Sequence, residues 1–201
     1  MSAELPARHP RDELGRVLPV ASWPVDRQAP GELELVRRFC NSINRENGAE
    51  RFGTPAALDG WLTSEGCLPV HASRAGLERV IALRESLHRL VVANATGIDD
   101  AGAWDALAEV TGDVAFRVTR QRDAVELQPT GSAVDLLTGR LVATVLAARR
   151  DGSWARLKAC RSCHWVVFDP SKNRSSRWCS MAACGGRHNA REYRRRLRSA
   201  G

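Results

Sequence analysis

Along most of the chain apolar residues recur at intervals of three or four, and along one short stretch at every second residue, a pattern that predicts helices around a small β-hairpin. Leu33, Val36, Cys40 and Ile43, with Phe39 beside them, mark a first helical face that runs on to a stop at Gly48. Thr54, Pro55 and Gly66 supply an N-cap, a first-turn proline and a C-terminal stop for a short helix burying Leu58, Trp61 and Leu62. Ser73 caps a longer helix, with Leu77, Val80, Ile81, Leu87, Leu90 and Val91 at helical intervals up to Gly97. Asp99 or Asp100 opens a fourth helix carrying Trp104, Leu107 and Val110. The period then drops to two: Val114, Phe116 and Val118 alternate, as do Val125 and Leu127, so two strands turn near Gln121–Asp123. Residues 132–150 return to helix, and Asp151-Gly152 reads as a turn. Ahead of Gly31 no period forms, and Pro6, Pro10, Pro19, Pro24 and Pro30 make residues 1–30 read as a poorly ordered leader.

Composition changes this picture in two ways. A hydrophobic fraction of 43% in 201 residues suffices for a real core. The start of the chain lacks the apolar stretch of a secretion signal, and no segment approaches the length of a membrane span, so the expected location is the cytoplasm, where clustered cysteines favour metal over disulfides. Charge is unevenly placed. Residues 156–201 carry 12 basic and two acidic side chains, whereas residues 1–155 carry 18 basic and 21 acidic ones. A mildly acidic body with a strongly basic end suggests that the end meets a polyanion.

The basic end also holds four of the six cysteines, spaced C-x2-C-x15-C-x4-C at Cys160, Cys163, Cys179 and Cys184. Two close pairs separated by 15–20 residues suit a single tetrahedral Zn²⁺ held by thiolates. Reduced core thiols or a disulfide pair are the plainer alternative, and His164 or His188 is near enough in sequence to replace one sulfur. Four thiolates leave no open coordination position, so the expected zinc is one structural ion rather than a catalyst. Between the pairs the chain reads as a strand at Trp165–Phe168 and a turn at Asp169-Pro170-Ser171, and Gly185-Gly186 after the last ligand as a sharp bend. Cys40 and Cys67, each alone on an apolar flank, read as buried hydrophobes. The fold class expected is α+β: a mainly helical N-terminal domain with a small antiparallel β-hairpin (residues 31–152), then a small four-cysteine zinc-finger domain with a basic C-terminal helix (residues 153–201).

The run "CRSCHWVVFDPSKNRSSRWCSMAACGGR" closely resembles the CGNR zinc-finger family, and the upstream "LELVRRFCNSINRENG" and "TPAALDGWL" resemble the ABATE domain that precedes such fingers. The resemblance implies a transcription regulator in which the finger binds DNA and the N-terminal domain senses a ligand. Where the family has Gly-Asn-Arg after its last cysteine, this chain has Gly185-Gly186-Arg187, which gives up the side-chain bonds an asparagine would make.

The basic end supplies the candidates for nucleic-acid contact: Lys172, Asn173, Arg174 and Arg177 between the cysteine pairs, and Arg187, Arg191, Arg194, Arg195 and Arg198 after them. Arginine forks suit phosphate oxygens and guanine edges alike. Tyr193 and Leu197, four apart, are expected to anchor that helix on the finger. DNA is the first reading of the partner. RNA or a ribosome-associated role, and a protein-binding adaptor, remain the alternatives, with a small-molecule ligand or a homodimer contact assigned to the N-terminal domain and no membrane partner. No Walker loop, GxGxxG, H-E-x-x-H or G-x-S-x-G occurs, so no enzyme is expected. His88 reads as a satisfied, partly buried histidine, and Trp61 and Trp104 as core before pocket.

Overall fold

The computed structural model describes residues 27–68, 70–121 and 124–199. Most of the predicted leader, residues 1–26, and the tip of the hairpin at Arg122-Asp123 lie outside the described residues. The α+β reading holds: five helices and a hairpin come first, then a second, shorter hairpin, the cysteine cluster and a terminal helix.

Four helices begin where capping chemistry places them. Thr54, Ser73, Asp100 and Ser132 each accept a backbone N–H at the start of α2 (Pro55–Ser64), α3 (Arg74–Thr96), α4 (Ala101–Thr111) and α5 (Ala133–Asp151). At α5 the carboxylate of Asp135 reaches back to the Ser132 backbone, closing a reciprocal cap. Gly97 ends α3 at φ 74°, a left-handed angle that glycine adopts without Cβ strain.

The first helix departs from its periodicity. α1 (Leu33–Cys40) stops well short of Gly48, and Ile43 lies instead in an isolated bridge to Glu50. Tertiary bonds override helix propensity here. The Asn41 amide leaves the helix to bond both backbone groups of Val166, at 2.9 Å to its carbonyl and 2.8 Å from its N–H. Arg84 of α3 is buried and takes both oxygens of Glu50 at 2.7 Å, which pins the loop that follows. Phe39, Phe52 and Trp61 pack as a triangle of rings 5.3–5.9 Å apart, so Trp61 belongs to the core. Trp104 is half-buried under the guanidinium of Arg149, 4.3 Å from the ring centre.

The two-residue period does make a hairpin. β1 (Ala115–Gln121) pairs antiparallel with β2 (Ala124–Thr130), with Val118 opposite Leu127 and Phe116 opposite Pro129. Its apolar face is nevertheless open, with Val118, Val125 and Leu127 each about two-thirds exposed. Only the base is seated: Pro129 lies so close to Gly139 of α5 that a Cβ there would meet it at 2.4 Å.

Beyond Gly152 the chain forms β3 (Leu157–Ala159) and β4 (Val166–Phe168), an antiparallel pair of which only β4 was legible in the pattern. Successive residues of β4 face opposite ways. Val166 joins Leu157 and Ala159 in the main core, with Phe168 packed against it, whereas Trp165 and Val167 pack around the cysteines. The main core therefore extends past residue 152 into the cysteine-bearing segment. The Asn94 side chain of α3 adds bonds to the carbonyls of Trp154 (2.8 Å) and Leu157 (3.1 Å).

Replacing Asn41 with alanine leaves the Val166 N–H and carbonyl buried without these partners. Urea titration of the zinc-loaded protein is expected to show a loss of about 2 kcal/mol.

Candidate metal centre and basic surface

The four cysteines converge as their spacing requires. Their sulfurs lie within 4.8 Å of one another and all four residues are buried. Cys163 and Cys179 are 3.7 Å apart, and Cys179 and Cys184 3.5 Å. A tetrahedron of thiolates at about 2.3 Å from zinc has edges near 3.8 Å, so the cluster fits one structural zinc ion with little adjustment. The first pair sits on a tight knuckle. The Cys160 N–H donates to the Trp165 carbonyl at 2.9 Å, the His164 N–H returns to Cys160 at 2.9 Å, and His164 takes a left-handed φ of 59°. The second pair is closed by a π-turn over Met181–Gly185, capped by the Ser180 hydroxyl.

Neither histidine joins the sulfurs. The His164 carbonyl accepts a bond at 3.0 Å from Nε2 of His88 on α3, and because a carbonyl only accepts, the proton of His88 is on Nε2. The His188 ring lies 4.7 Å from that of Trp178. Cys40 and Cys67 are buried apart from the cluster, and burial pushes the Cys40 thiol up to about 12 and raises that of Cys67, so neither is a reactive thiolate.

Gly185 and Gly186 make no sharp bend: neither adopts a positive φ, and the turn runs straight into α6 (Gly186–Ser199). What Gly185 provides is room, since a Cβ there would meet the Met181 sulfur at 2.5 Å and Trp178 at 3.0 Å. At Gly186 a Cβ would approach the Met181 carbonyl at 3.2 Å.

The predicted contact residues divide into two groups and one exception. Lys172, Asn173 and Arg174 are exposed on a loop organised from beneath by Asp169, which is fully buried. Asp169 accepts the Ser171 and Ser176 N–H groups at 3.0 and 2.9 Å and the Ser176 hydroxyl at 2.9 Å. Burial alone would raise its carboxyl, but those bonds outweigh it and hold the group well below the usual carboxylate range. Buried Lys158 lies 3.5 Å from Asp169 and also donates to the Arg174 carbonyl, holding Arg174 at a φ of 49°. Arg156 ties the carbonyls of Asp169 and Ser171 from the other side. The sequence marked Asp169 as a turn residue, but nothing in the pattern announced this buried Lys–Asp support.

On α6, Arg191, Arg194, Arg195 and Arg198 are exposed and share one side of the helix. Arg195 also pairs with Glu192 at 2.8 Å. The expected anchor is absent: Tyr193 and Leu197 are 64% and 57% exposed, and α6 has no buried residue. The helix springs from the π-turn and meets the cysteine centre in its first turn, through Arg187 at Cys184 and His188 at Trp178. Arg187 is the exception, because its guanidinium turns inward to Cys184 Sγ at 3.0 Å, where its charge offsets the thiolates. Arg177 is exposed, and its carbonyl receives the Arg161 N–H at 3.0 Å.

A family model for the ABATE domain, described as "putative stress-induced transcription regulator", matches residues 33–159, and one for the CGNR zinc finger matches residues 156–197. The two meet on β3, the strand that leads from the main core into the cysteine knuckle. No curated protein matches the chain. No helix among the described residues is long and apolar enough to cross a membrane.

Two outcomes follow. Metal analysis is expected to find one zinc per chain, and Cys179→Ser to lose it together with α6's fixed orientation, read as a fall in bound zinc and in near-ultraviolet circular dichroism. The second concerns His88, whose pKa burial lowers to about 4. The folded state keeps this ring neutral while the unfolded chain takes up a proton near 6.5, so stability is full above that value and declines as pH falls toward the folded value. Between pH 7.5 and 5.5 the loss is about 1 kcal/mol, and a His88→Gln variant is expected to flatten that part of the stability profile.

Proposed function

Because the chain belongs to the ABATE family and carries a CGNR zinc finger, we propose that it is a DNA-binding transcription regulator, with residues 31–152 as the regulatory module and residues 153–201 as the nucleic-acid-binding unit. The observation that carries this reading is α6. It is a 14-residue helix with no buried residue, arginines along one side, and a metal-stapled base. Such a helix is about 21 Å long and 10–12 Å across with its side chains, the width of the major groove. Arg191, Arg194 and Arg198 meet phosphates or guanine edges, and Lys172, Asn173 and Arg174 hold an adjacent stretch of backbone. The role of Asp169 and Lys158 is then to present that loop in one shape, so that little ordering entropy is spent on contact.

One observation favours a second reading. Tyr193 is an exposed aromatic on the side of α6 away from those arginines, a platform on which an unpaired base of RNA can stack. Trp165 is buried and Trp178 is packed against His188, so neither offers the same surface.

Fluorescence anisotropy of the zinc-loaded protein on random-sequence duplex, across a salt series and with a chelated control, tests the proposal. Binding is expected to fall steeply with salt and to vanish on chelation. Arg191→Ala with Arg194→Ala is expected to flatten the logarithmic salt slope by about two. Absence of binding at low salt, or single-stranded RNA outcompeting the duplex, turns the reading down.

A further inference from the structure

Where α5 ends, the helical body meets the 3₁₀ turn at Trp154–Arg156 that leads into β3, and the surface between them is hollow. The hollow measures about 280 Å³, small among ligand sites, so it admits only a compact molecule. Two long helices end on it. Ala93 and Asn94 belong to the last turn of α3, and Arg149 and Gly152 to the end of α5. Trp104 of α4 and Trp154 of the 3₁₀ turn add aromatic walls, and Leu90 an apolar one.

The charged groups of this lining are few and uncommitted. Its one cation is Arg149, whose guanidinium is held over the Trp104 ring, 4.3 Å from the centre, while its N–H donors meet no acceptor among the described residues. Its one anion is Asp99, exposed and likewise without a hydrogen bond or ion pair there. The neighbouring Asp100 differs, since Arg89 takes both its oxygens at 2.6 and 2.9 Å. Arg149 and Asp99 thus line one small hollow without pairing with each other. Asn94 adds a third polar group: its amide nitrogen is spent on the Trp154 and Leu157 carbonyls, which leaves Oδ1 as an open acceptor. The carbonyl ends of α3 and α5 contribute partial negative charge beside these acceptors. One arginine fork and a set of acceptors within so small a space suit a molecule that carries a carboxylate and an ammonium close together. A zwitterion answers both free charges, whereas a simple acid or a simple amine leaves one of them unmet.

We propose that this hollow is a binding site for a free α-amino acid with an apolar side chain. Its carboxylate takes the Arg149 fork, its ammonium donates to Asp99 and to Asn94 Oδ1, and its side chain lies against Leu90 and the tryptophans. The occupant touches Asn94, the side chain that ties α3 to Trp154 and Leu157, so the site stands at the junction of the helical body with the cysteine-bearing segment. This gives the regulatory module a ligand class, yet it is independent of the nucleic-acid reading, and its test contains no nucleic acid.

Isothermal titration of the zinc-loaded full chain decides it, with L-leucine and L-phenylalanine as probes. Each is compared with its counterpart lacking the ammonium, 4-methylpentanoate or 3-phenylpropanoate, and with its counterpart lacking the carboxylate, 3-methylbutylamine or 2-phenylethylamine. Saturable one-site binding is expected for at least one amino acid, at least tenfold tighter than for either of its counterparts. Arg149→Gln and Asp99→Asn, both at exposed positions, are each expected to weaken it at least tenfold, with zinc content and helical circular dichroism unchanged. Asp99→Asn leaves the contact of Arg149 with Trp104 intact and keeps the charge test available if Arg149→Gln folds poorly. The proposal is overturned if neither amino acid saturates, if the acid or the amine binds as tightly as the amino acid, or if a folded Arg149→Gln or Asp99→Asn variant binds undiminished.

Discussion

A strand of three residues, β4, is packed on both faces, and the rest of the molecule is arranged around that fact. Val166 points into the helical core and Val167 into the cysteine cluster, so two hydrophobic centres share one backbone. Burial on both faces leaves the edge groups of β4 as the remaining problem, since an unpaired buried N–H or carbonyl is costly. β3 pairs one edge, and at Val166 the Asn41 amide meets the other as a single-residue substitute for a strand. The shortened α1 is a consequence: a helix continuing to Gly48 would carry Asn41 through a helical turn and leave Val166 unmet.

The metal centre then stands on the helical body. The segment from Cys160 to Cys184 has a small apolar cluster of its own, so zinc supplies much of its folding energy. The knuckle is met from α3 by the Nε2–H of His88 and at longer range by the Arg161–Ala95 contact, while Asn94 holds β3 and the turn before it. Folding of the metal site and packing of the helices are thereby made mutually dependent. The two family matches overlap on residues 156–159, which hold β3, the strand paired with β4.

Much of this was legible from local patterns, and the failures have a common cause. Caps at Thr54 and Ser73, helix starts at Asp99 or Asp100 and at about Ser132, the period-two hairpin and the four cysteines are each set by chemistry within a few residues, and each was placed from the sequence. The end of α1, the pairing of β3, the burial of Arg84 and Asp169, and the inward turn of Arg187 depend on partners distant in the chain or on which way a side chain points. Arg187 illustrates the limit: sequence places it among arginines, and only geometry separates the one that bonds Cys184 from those that face water. Tyr193 and Leu197 fail in the opposite sense. Their spacing fits an anchored helix face, but the finger ends at the π-turn and presents nothing for them to cover.

The clamps on β3 and β4 restrict how the helical body and the basic surface can be coupled. A ligand shifts an equilibrium only by binding two states unequally, and a rigid swing of the finger about Gly152 would break the bonds of Asn41, Asn94 and His88 together. A less costly path runs through the end of α5. α5 ends at Asp151, and five residues later Arg156 holds the carbonyls of Asp169 and Ser171 that shape the Lys172–Arg174 loop. The Arg174 guanidinium also lies beside Gly152, about 4.0 Å from where a Cβ would stand. Small adjustments at the end of α5 therefore act on the shape of the basic loop before they act on α6.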